Sequence, residues 1–257
     1  MIKKIFLVLI VFVVLSLSAI IGMNVFKNSP SLILKHLGSQ TAIASGAEFG
    51  SFKDWVWGAD RTFVFDIYYM NLFSPGSAKM HVAGETNLNG DAAILLEAAL
   101  EPNGTIKKMY NAKMIINAAV TKDSKESLWY REVSITPEKE KSKEIIFDPE
   151  KGIALREGMK YKIPDNTHDP LSVFFTFLSS DFVIGKEIIL LLLSKEEIYE
   201  FKVTPEKLNN NIYTISGEVH RQDRSSAHGA RFTMWVLDGK VRVPLLIKAS
   251  TAVGPIY

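Results

Sequence analysis

Histidine, serine and acidic side chains are the groups in this sequence that could carry acid–base or nucleophilic chemistry. The histidines stand apart, form no His-x-x-x-His pair and have no Glu at the spacing of a zinc protease. No Gly-x-Ser-x-Gly turn, Ser-x-x-Lys pair or phosphate-binding glycine loop is present. The sequence therefore predicts no catalytic residue, no metal site and no cofactor.

The chain also contains no cysteine. This excludes disulfides, thiolate catalysis, Cys-ligated zinc or iron–sulfur sites, and a lipid-modified N-terminal cysteine. The formal charge is +2, and three of the lysines belong to the first 27 residues, so the rest of the chain is close to neutral. A near-neutral body argues against nucleic-acid binding, which needs a basic surface to neutralise phosphates.

One polar loop, RQDRSSAHGAR at residues 221–231, concentrates basic side chains. It contains Arg221, Arg224 and Arg231. A solvated loop is the main interpretation, and an anion-binding site formed by these three arginines is the minor one.

The amino end has the composition of an export segment. Lys3 and Lys4 precede 22 residues without a charge, 5–26, and a helix of that length spans about 33 Å, enough to cross a hydrocarbon core of about 30 Å. Alternatively, an apolar core at 5–15 followed by small residues at 16–19 has the layout of a cleavable signal peptide. In both cases the lysines stay inside and the rest is exported. The sequence predicts a periplasmic protein, anchored in the inner membrane by residues 5–26 if they are retained.

Three segments follow from this composition. Residues 1–27 are the signal peptide or anchor helix, and residues 28–46, which contain Pro30, Gly38 and several Ser and Asn residues, are a linker. From residue 47 apolar and polar residues alternate, as in TFVFDIYYM (62–70) and EEIYEFKV (196–203), which predicts strands. We predict a single exported β domain at 47–257.

Asn-Gly and Asp-Gly pairs predict hairpin turns between these strands. They stand at Asn89-Gly90, Asn103-Gly104 and Asp238-Gly239. Successive hairpins make an antiparallel meander, and a sheet of this size must curve into a half-barrel or open barrel. Pro244 lacks an amide donor and predicts an edge strand or a bulge. The run EIILLLLS (187–194) predicts a strand buried on both faces.

One segment, NTHDPLSVFFTFL at 166–178, has the pattern of a helix. Asp169 is suited to cap its N-terminus and Pro170 to be its first residue. Its apolar residues then form one stripe at helical spacing: Leu171, Phe174, Phe175 and Leu178. We predict an amphipathic helix that covers, or plugs, the concave face of the sheet.

This order of features resembles a family of exported bacterial proteins, domain of unknown function 3108. The resemblance rests on DPLSVFFTFL, on Gly185 before an apolar strand, on ADRTFVFDIYYMNLFSPGSAKMHV and on the closing VRVPLLIKASTAVGPIY. The chain departs from the family pattern at Thr176-Phe177, where an arginine is usual. The resemblance implies an exported, mostly β protein of the cell envelope and brings no established activity.

Three functions agree with these patterns. The first is a non-enzymatic envelope domain that binds a lipid or other apolar ligand in its concave face; the ligand-binding residues would be Trp57, Tyr68, Phe174, Phe175, Phe177 and Trp235. The second is a structural or interaction module with an envelope protein as partner. The third is a hydrolase of envelope polymers, which no sequence motif supports.

Overall fold

Strands make up most of the described chain. The computed structural model describes residues 51–69, 73–109, 111–194, 196–223, 229–240, 242–251 and 254–256. The predicted anchor and linker, residues 1–46, lie outside this part of the chain. No helix among the described residues is long and apolar enough to cross a membrane.

The described elements are three short helices, one 3₁₀ turn and fifteen strands. The helices are α1 (Phe52–Val56), α2 (Gly104–Met109) and α3 (Ser172–Ser179), and the 3₁₀ turn is Pro149–Lys151. The strands are β1 (Arg61–Tyr69), β2 (Phe73–Leu88), β3 (Asp91–Pro102), β4 (Lys113–Thr121), β5 (Ser127–Ile135), β6 (Glu140–Asp148), β7 (Ile153–Arg156), β8 (Met159–Lys162), β9 (Thr167–His168), β10 (Ile188–Ser194), β11 (Glu197–Asn209), β12 (Ile212–Arg221), β13 (Ala230–Leu237), β14 (Val243–Thr251) and β15 (Gly254–Ile256).

All fifteen strands belong to one sheet with the order β8-β7-β6-β5-β4-β3-β2-β1-β15-β14-β13-β12-β11-β10-β9. It consists of two antiparallel meanders, which we call the first meander (β1–β8) and the second meander (β10–β15). They join where β1 pairs with β15, with Tyr69 opposite Ile256. The predicted mainly β, antiparallel meander is confirmed.

The sheet curves so strongly that its two edges approach each other. Edge strands β8 and β9 are separated by residues 163–166 alone, so Lys162 and Thr167 lie at most about 18 Å apart along an extended chain. Fifteen strands laid flat would span about 65 Å. Arg156 of β7 also forms an ion pair with Glu196, next to β10, at 3.3 Å between Nη1 and Oε1. Because β8 and β9 are not paired, the barrel is open, as predicted.

The Asn89-Gly90 turn forms as predicted between β2 and β3, with φ angles of 54° and 104°. The hairpin at Asp238-Gly239 also joins β13 to β14, but its loop comprises residues 238–242 and neither Asp238 nor Gly239 has a positive φ, so the tight turn predicted there is wrong. The prediction at Asn103-Gly104 is wrong, because Gly104 begins α2 instead of closing a two-residue turn. Pro244 lies at a register shift between β13 and β14 in the interior of the sheet, so the bulge alternative is correct.

Two further predictions need correction. The run at 187–194 is buried on both faces only at its end: Ile189 is 50% exposed, whereas Leu192 and Leu193 are 1% and 3% exposed. The sheet is also not antiparallel throughout, because β9 pairs in parallel with β10. The parallel pairing follows from α3, which stands between these two strands in the chain and returns it to the same end of the sheet.

Candidate functional site

Helix α3 lies inside the curved sheet and is buried almost all round. From Leu171 to Leu178 every side chain except Thr176 is at most 2% exposed. The polar face of the predicted amphipathic helix is reduced to Thr176 and Ser179, which are only partly exposed. A helix with a wide apolar stripe can be enclosed in this way when the sheet curves around it, although the Thr176 hydroxyl has no hydrogen-bond partner among the described residues.

Phe174 and Phe175 pack against the start of the first meander. Their ring centroids lie 6.4 Å and 6.0 Å from Phe63, and Phe174 also lies 6.5 Å from Phe65. Trp57, just after α1, lies 5.7 Å from Phe175. These aromatic pairs fill the space between helix and sheet on this side.

Phe177 points to the second meander instead. Its ring lies 5.7 Å from Phe201 of β11 and is stacked at 5.2 Å on Phe182, which follows the helix. Phe201 in turn stacks on Phe232 of β13 at 5.4 Å. The helix therefore bridges the two meanders, and of the six predicted ligand-binding residues the structure brings together Trp57, Phe174, Phe175 and Phe177.

Tyr68 and Trp235 are not part of this interior, which corrects the predicted set. Alternation along β1 turns Phe63 and Ile67 inward, so Tyr68 lies on the outer face with 43% exposure. Trp235 stands between the buried Met234 and Val236 of β13 and lies half-buried on the outer face. A shift of one residue along a strand moves a side chain to the other face of the sheet. Both faces of these strands carry apolar residues, so composition does not tell which face is the inner one.

Two of the predicted anion-binding arginines, Arg221 and Arg231, do not converge. Arg231 stands opposite Glu218 and Arg221 opposite Tyr199, which places the two arginines on opposite faces of the sheet. Arg221 is already paired with Glu197 and Asp223. Arg224 lies outside the described residues.

Asp169 holds the N-terminal end of α3 from a fully buried position. One carboxylate oxygen, Oδ1, accepts hydrogen bonds from the backbone N–H groups of Leu171 and Ser172 at 2.8 Å and 2.9 Å. The other, Oδ2, accepts from the Ser127 hydroxyl at 2.7 Å. The predicted capping role of Asp169 is confirmed, although the regular helix begins two residues after the predicted Pro170.

Ser127 ties this end of the helix to β5 of the first meander. Its Oγ also accepts a hydrogen bond from the Asp169 backbone N–H at 2.8 Å and lies 2.9 Å from the Ser172 hydroxyl. All three residues are at most 1% exposed. Buried polar groups are costly unless they are hydrogen-bonded, so this network specifies where the helix starts. Nothing in the sequence around Ser127 indicated its role.

Arg242 holds the opposite end of α3 from the turn between β13 and β14. Its Nη1 donates to the carbonyl oxygens of Leu178, at 3.1 Å, and Ser180. Its guanidinium also pairs with Asp238, with 2.7 Å between Nη2 and Oδ1. The rings of Phe52 and Phe182 lie on it at 3.6 Å and 4.1 Å. Burial lowers the pKa of Arg242, and the Asp238 pair opposes that shift.

His168 precedes this network and is 4% exposed, and its Nδ1 has no hydrogen-bond partner among the described residues. Burial lowers the pKa of the imidazole below its usual 6.5, and the carboxylates of Asp169 and Glu126 only partly offset this. The ring is enclosed beside β10, where His168 stands opposite Leu192.

We expect the stability of the fold to decrease as the pH falls below about 6.5. The unfolded chain, with an ordinary histidine pKa, then binds a proton that the buried His168 ring resists, and one such proton contributes at most about 1.4 kcal/mol per pH unit. Urea unfolding at several pH values from about 7.5 to 5 measures this slope. His168→Gln should remove that part of the slope and His81→Gln, on the outer face, is the control. An unchanged slope in His168→Gln would contradict the assignment.

A polar cluster on the outer face of β11 and β12 was missed at the sequence level. Glu200 is paired with Lys202 at 2.9 Å and lies 3.4 Å from Nε2 of His220, and Glu218 lies 3.7 Å from Nδ1. In the described part of the chain, no group of three or more His, Asp or Glu side chains could hold a metal ion. The cluster is a network of paired charges on adjacent strands.

The outer face of the first meander carries a continuous line of apolar side chains. Strand pairing places these residues directly opposite one another, from β3 to β7, and we call them the outer apolar row: Leu95, Ala119, Trp129, Ile146 and Leu155. Ile146 is 44% exposed, Leu95, Trp129 and Leu155 are half-buried, and Ala119 is buried at 1% exposure. Trp129 donates its indole N–H to Glu144 at 2.7 Å, which orients the ring.

Fold and site together define a class: an open, strongly curved antiparallel β sheet that encloses a pinned, Phe-rich helix. The family model described as "Protein of unknown function (DUF3108)" matches residues 64–257, and the chain belongs to this family. The match includes Asp169, Ser172 and Gly185, on which the sequence resemblance rested. No curated protein and no solved structure matches the chain.

Proposed function

We propose that this protein is a non-enzymatic module of the bacterial cell envelope that binds another protein through the outer apolar row. The observation that carries the proposal is the row itself, which crosses five neighbouring strands and leaves Ile146 44% exposed. At about 4.8 Å per strand the row is about 19 Å long. Because Ala119 is buried, the accessible part of the row is best represented by Trp129, Ile146 and Leu155 on three adjacent strands, and apolar side chains grouped in this way on the solvent side of a sheet are typical of an interaction site.

The packing of the interior favours this function over lipid binding. A ligand under Phe174 and Phe175 needs space between α3 and the sheet, and both rings instead lie against Phe63 at about 6 Å between centroids. Close packing of this kind leaves an acyl chain no room unless the helix moves. The hydrogen bonds of Asp169 at one end and Arg242 at the other oppose such a movement.

The envelope location rests on the amino end. Lys3 and Lys4 followed by 22 uncharged residues support export whether or not the segment is cleaved. An exported domain with a filled core and an exposed apolar row acts by contact with a partner. No observation favours the hydrolase alternative.

Photo-cross-linking in cells tests the proposal. A benzoylphenylalanine in place of Ile146 should give protein-sized adducts, because the side chain lies in the contact. The same amino acid at Ser142, exposed on the same face of β6, is the matched control and should give few. With the cross-linker moved to Leu155, the substitution Ile146→Glu should abolish the adducts.

Two results would contradict the proposal. The first is an absence of protein adducts from Ile146 and Leu155 alike. The second is lipid that co-purifies with the chain and is lost on replacing Phe174 by a larger side chain, since this result would return the function to the concave face. Mass spectrometry of the purified chain detects such lipid.

A further inference from the structure

We propose that residues 5–26 are retained as a membrane anchor and that the turn at Val183 and Ile184 contacts the bilayer that holds them. This inference deepens the proposed envelope function by assigning the end of the domain that faces the membrane. Val183 and Ile184 are 52% and 55% exposed, and no other pair of adjacent large apolar residues in the described chain is exposed to that extent.

The two side chains are presented by an ordered turn. The Lys186 N–H donates to the Val183 carbonyl oxygen at 3.0 Å, and Gly185 has a φ of 77°, which is the value a type II turn requires at its third position. The Gly185 N–H donates to the Pro205 carbonyl oxygen of β11 at 2.8 Å. The turn is thus fastened to the sheet, and Ile184 occupies its corner.

The described chain begins next to this turn. Phe52 and Phe182 enclose the guanidinium of Arg242 from two sides, at 3.6 Å and 4.1 Å, and Val183 directly follows Phe182. Lys53 adds an ion pair to Asp181 at 2.9 Å. The start of the described chain therefore lies on the same side of the domain as the start of the turn, with the Arg242 guanidinium between the rings of Phe52 and Phe182.

This position decides which end of the domain meets the bilayer. Residues 27–50 stand between the predicted anchor and the first described residue, and a chain of that length spans at most about 85 Å. The tether keeps the entry end of the domain at a high effective concentration near the lipid surface. Under that condition two exposed aliphatic side chains suffice for a contact that an untethered domain would not maintain.

The contact is apolar in character. Lys186 is followed by Glu187, and Lys207 on the adjacent strand is preceded by Glu206; all four are exposed. Opposite charges next to each other leave the rim of the turn close to neutral. The turn should therefore enter a zwitterionic bilayer, without a need for anionic headgroups.

Site-specific fluorescence tests the proposal, because the chain has no cysteine and a single introduced one is unique. The full-length chain carries Ile184→Cys labelled with an NBD dye, in phosphatidylcholine nanodiscs. Val64→Cys, at an outer-face position with 69% exposure, is the matched control. We expect dye at 184 to be blue-shifted, protected from aqueous iodide and quenched by doxyl-labelled phosphatidylcholine, and dye at 64 to show the opposite.

Adding Val183→Asp to the labelled Ile184→Cys chain should restore the access of iodide to the dye at 184. A urea unfolding curve of this double variant verifies that it is folded. Iodide quenching at 184 as strong as at 64 would overturn the proposal. Protection from iodide without quenching by doxyl lipid would also overturn it, since a second copy or another segment of the chain would then cover the turn. Cross-linking at Ile146 reports on partner binding independently, so failure of one proposal is distinguishable from failure of the other.

Discussion

Asp169→Ala should destabilise the fold by about 3–5 kcal/mol, the largest effect that we expect from any single substitution. The carboxylate is fully buried and accepts three hydrogen bonds, from two backbone N–H groups and the Ser127 hydroxyl. Each buried donor left without its acceptor costs about 1–3 kcal/mol. Alanine also removes the cap of α3, which contributes about 1 kcal/mol.

The measurement is the midpoint of urea unfolding, followed by tryptophan fluorescence. Asp66→Ala, on the exposed outer face of β1, is the matched control and should leave the midpoint nearly unchanged. Asp169→Asn should lie between, because its amide oxygen still accepts from Leu171 and Ser172 while its NH₂ group cannot accept the hydrogen bond that the Ser127 hydroxyl donates to Oδ2. Equal stability of Asp169→Ala and the parent chain would show that the network does not hold the helix.

Arg242→Ala is expected to give the second largest loss, about 3 kcal/mol. The side chain is 2% exposed and contacts four groups: the last turn of α3, the carboxylate of Asp238, and the rings of Phe52 and Phe182. Alanine leaves Asp238 without its counter-ion and opens a cavity between the two rings. The carbonyl oxygens of Leu178 and Ser180 lose their shared donor.

Arg242→Lys separates the charge from the geometry of the guanidinium. Lysine keeps the positive charge but has no planar fork to bind Asp238 and the two carbonyl groups together or to stack between two rings, so most of the loss should remain. Arg131→Ala, exposed on the outer face of β5, is the control and should shift the urea midpoint far less. A lysine variant as stable as the parent chain would show that charge alone sufficed.

Asp169 and Arg242 hold opposite ends of α3, but only the role of Asp169 could be predicted from the sequence. Asp169 stands directly before Pro170 and an apolar stripe. Because capping is a local interaction between neighbours in the chain, this pattern was sufficient to predict that Asp169 caps α3. Arg242 stands 62 positions after the carbonyl group of Ser180 that it binds. Its partner could be known only once the second meander had returned to the helix.

The predicted ligand-binding residues also differ in whether the sequence could place them correctly. Trp57, Phe174, Phe175 and Phe177 meet because helical spacing and burial bring large aromatic residues into one core. Tyr68 and Trp235 lie on the outer face because their strands are apolar on both sides, and alternation alone does not tell which side is concave. The outer apolar row was missed for that reason, although apolar residues on both faces of β5 were its signal.

By itself the sequence determined the mainly β meander, the hairpin turn at Asn89-Gly90, the bulge at Pro244, and a capped helix at Asp169. Each of these follows from backbone preferences and hydrogen bonds among residues close in the chain. The tertiary structure alone decided that the sheet curves until β8 and β9 approach, that α3 is enclosed except at Thr176 and Ser179, and that Phe52 and Phe182 meet on either side of Arg242. These features depend on contacts between residues far apart in sequence, whose geometry arises only when the two meanders close around the helix.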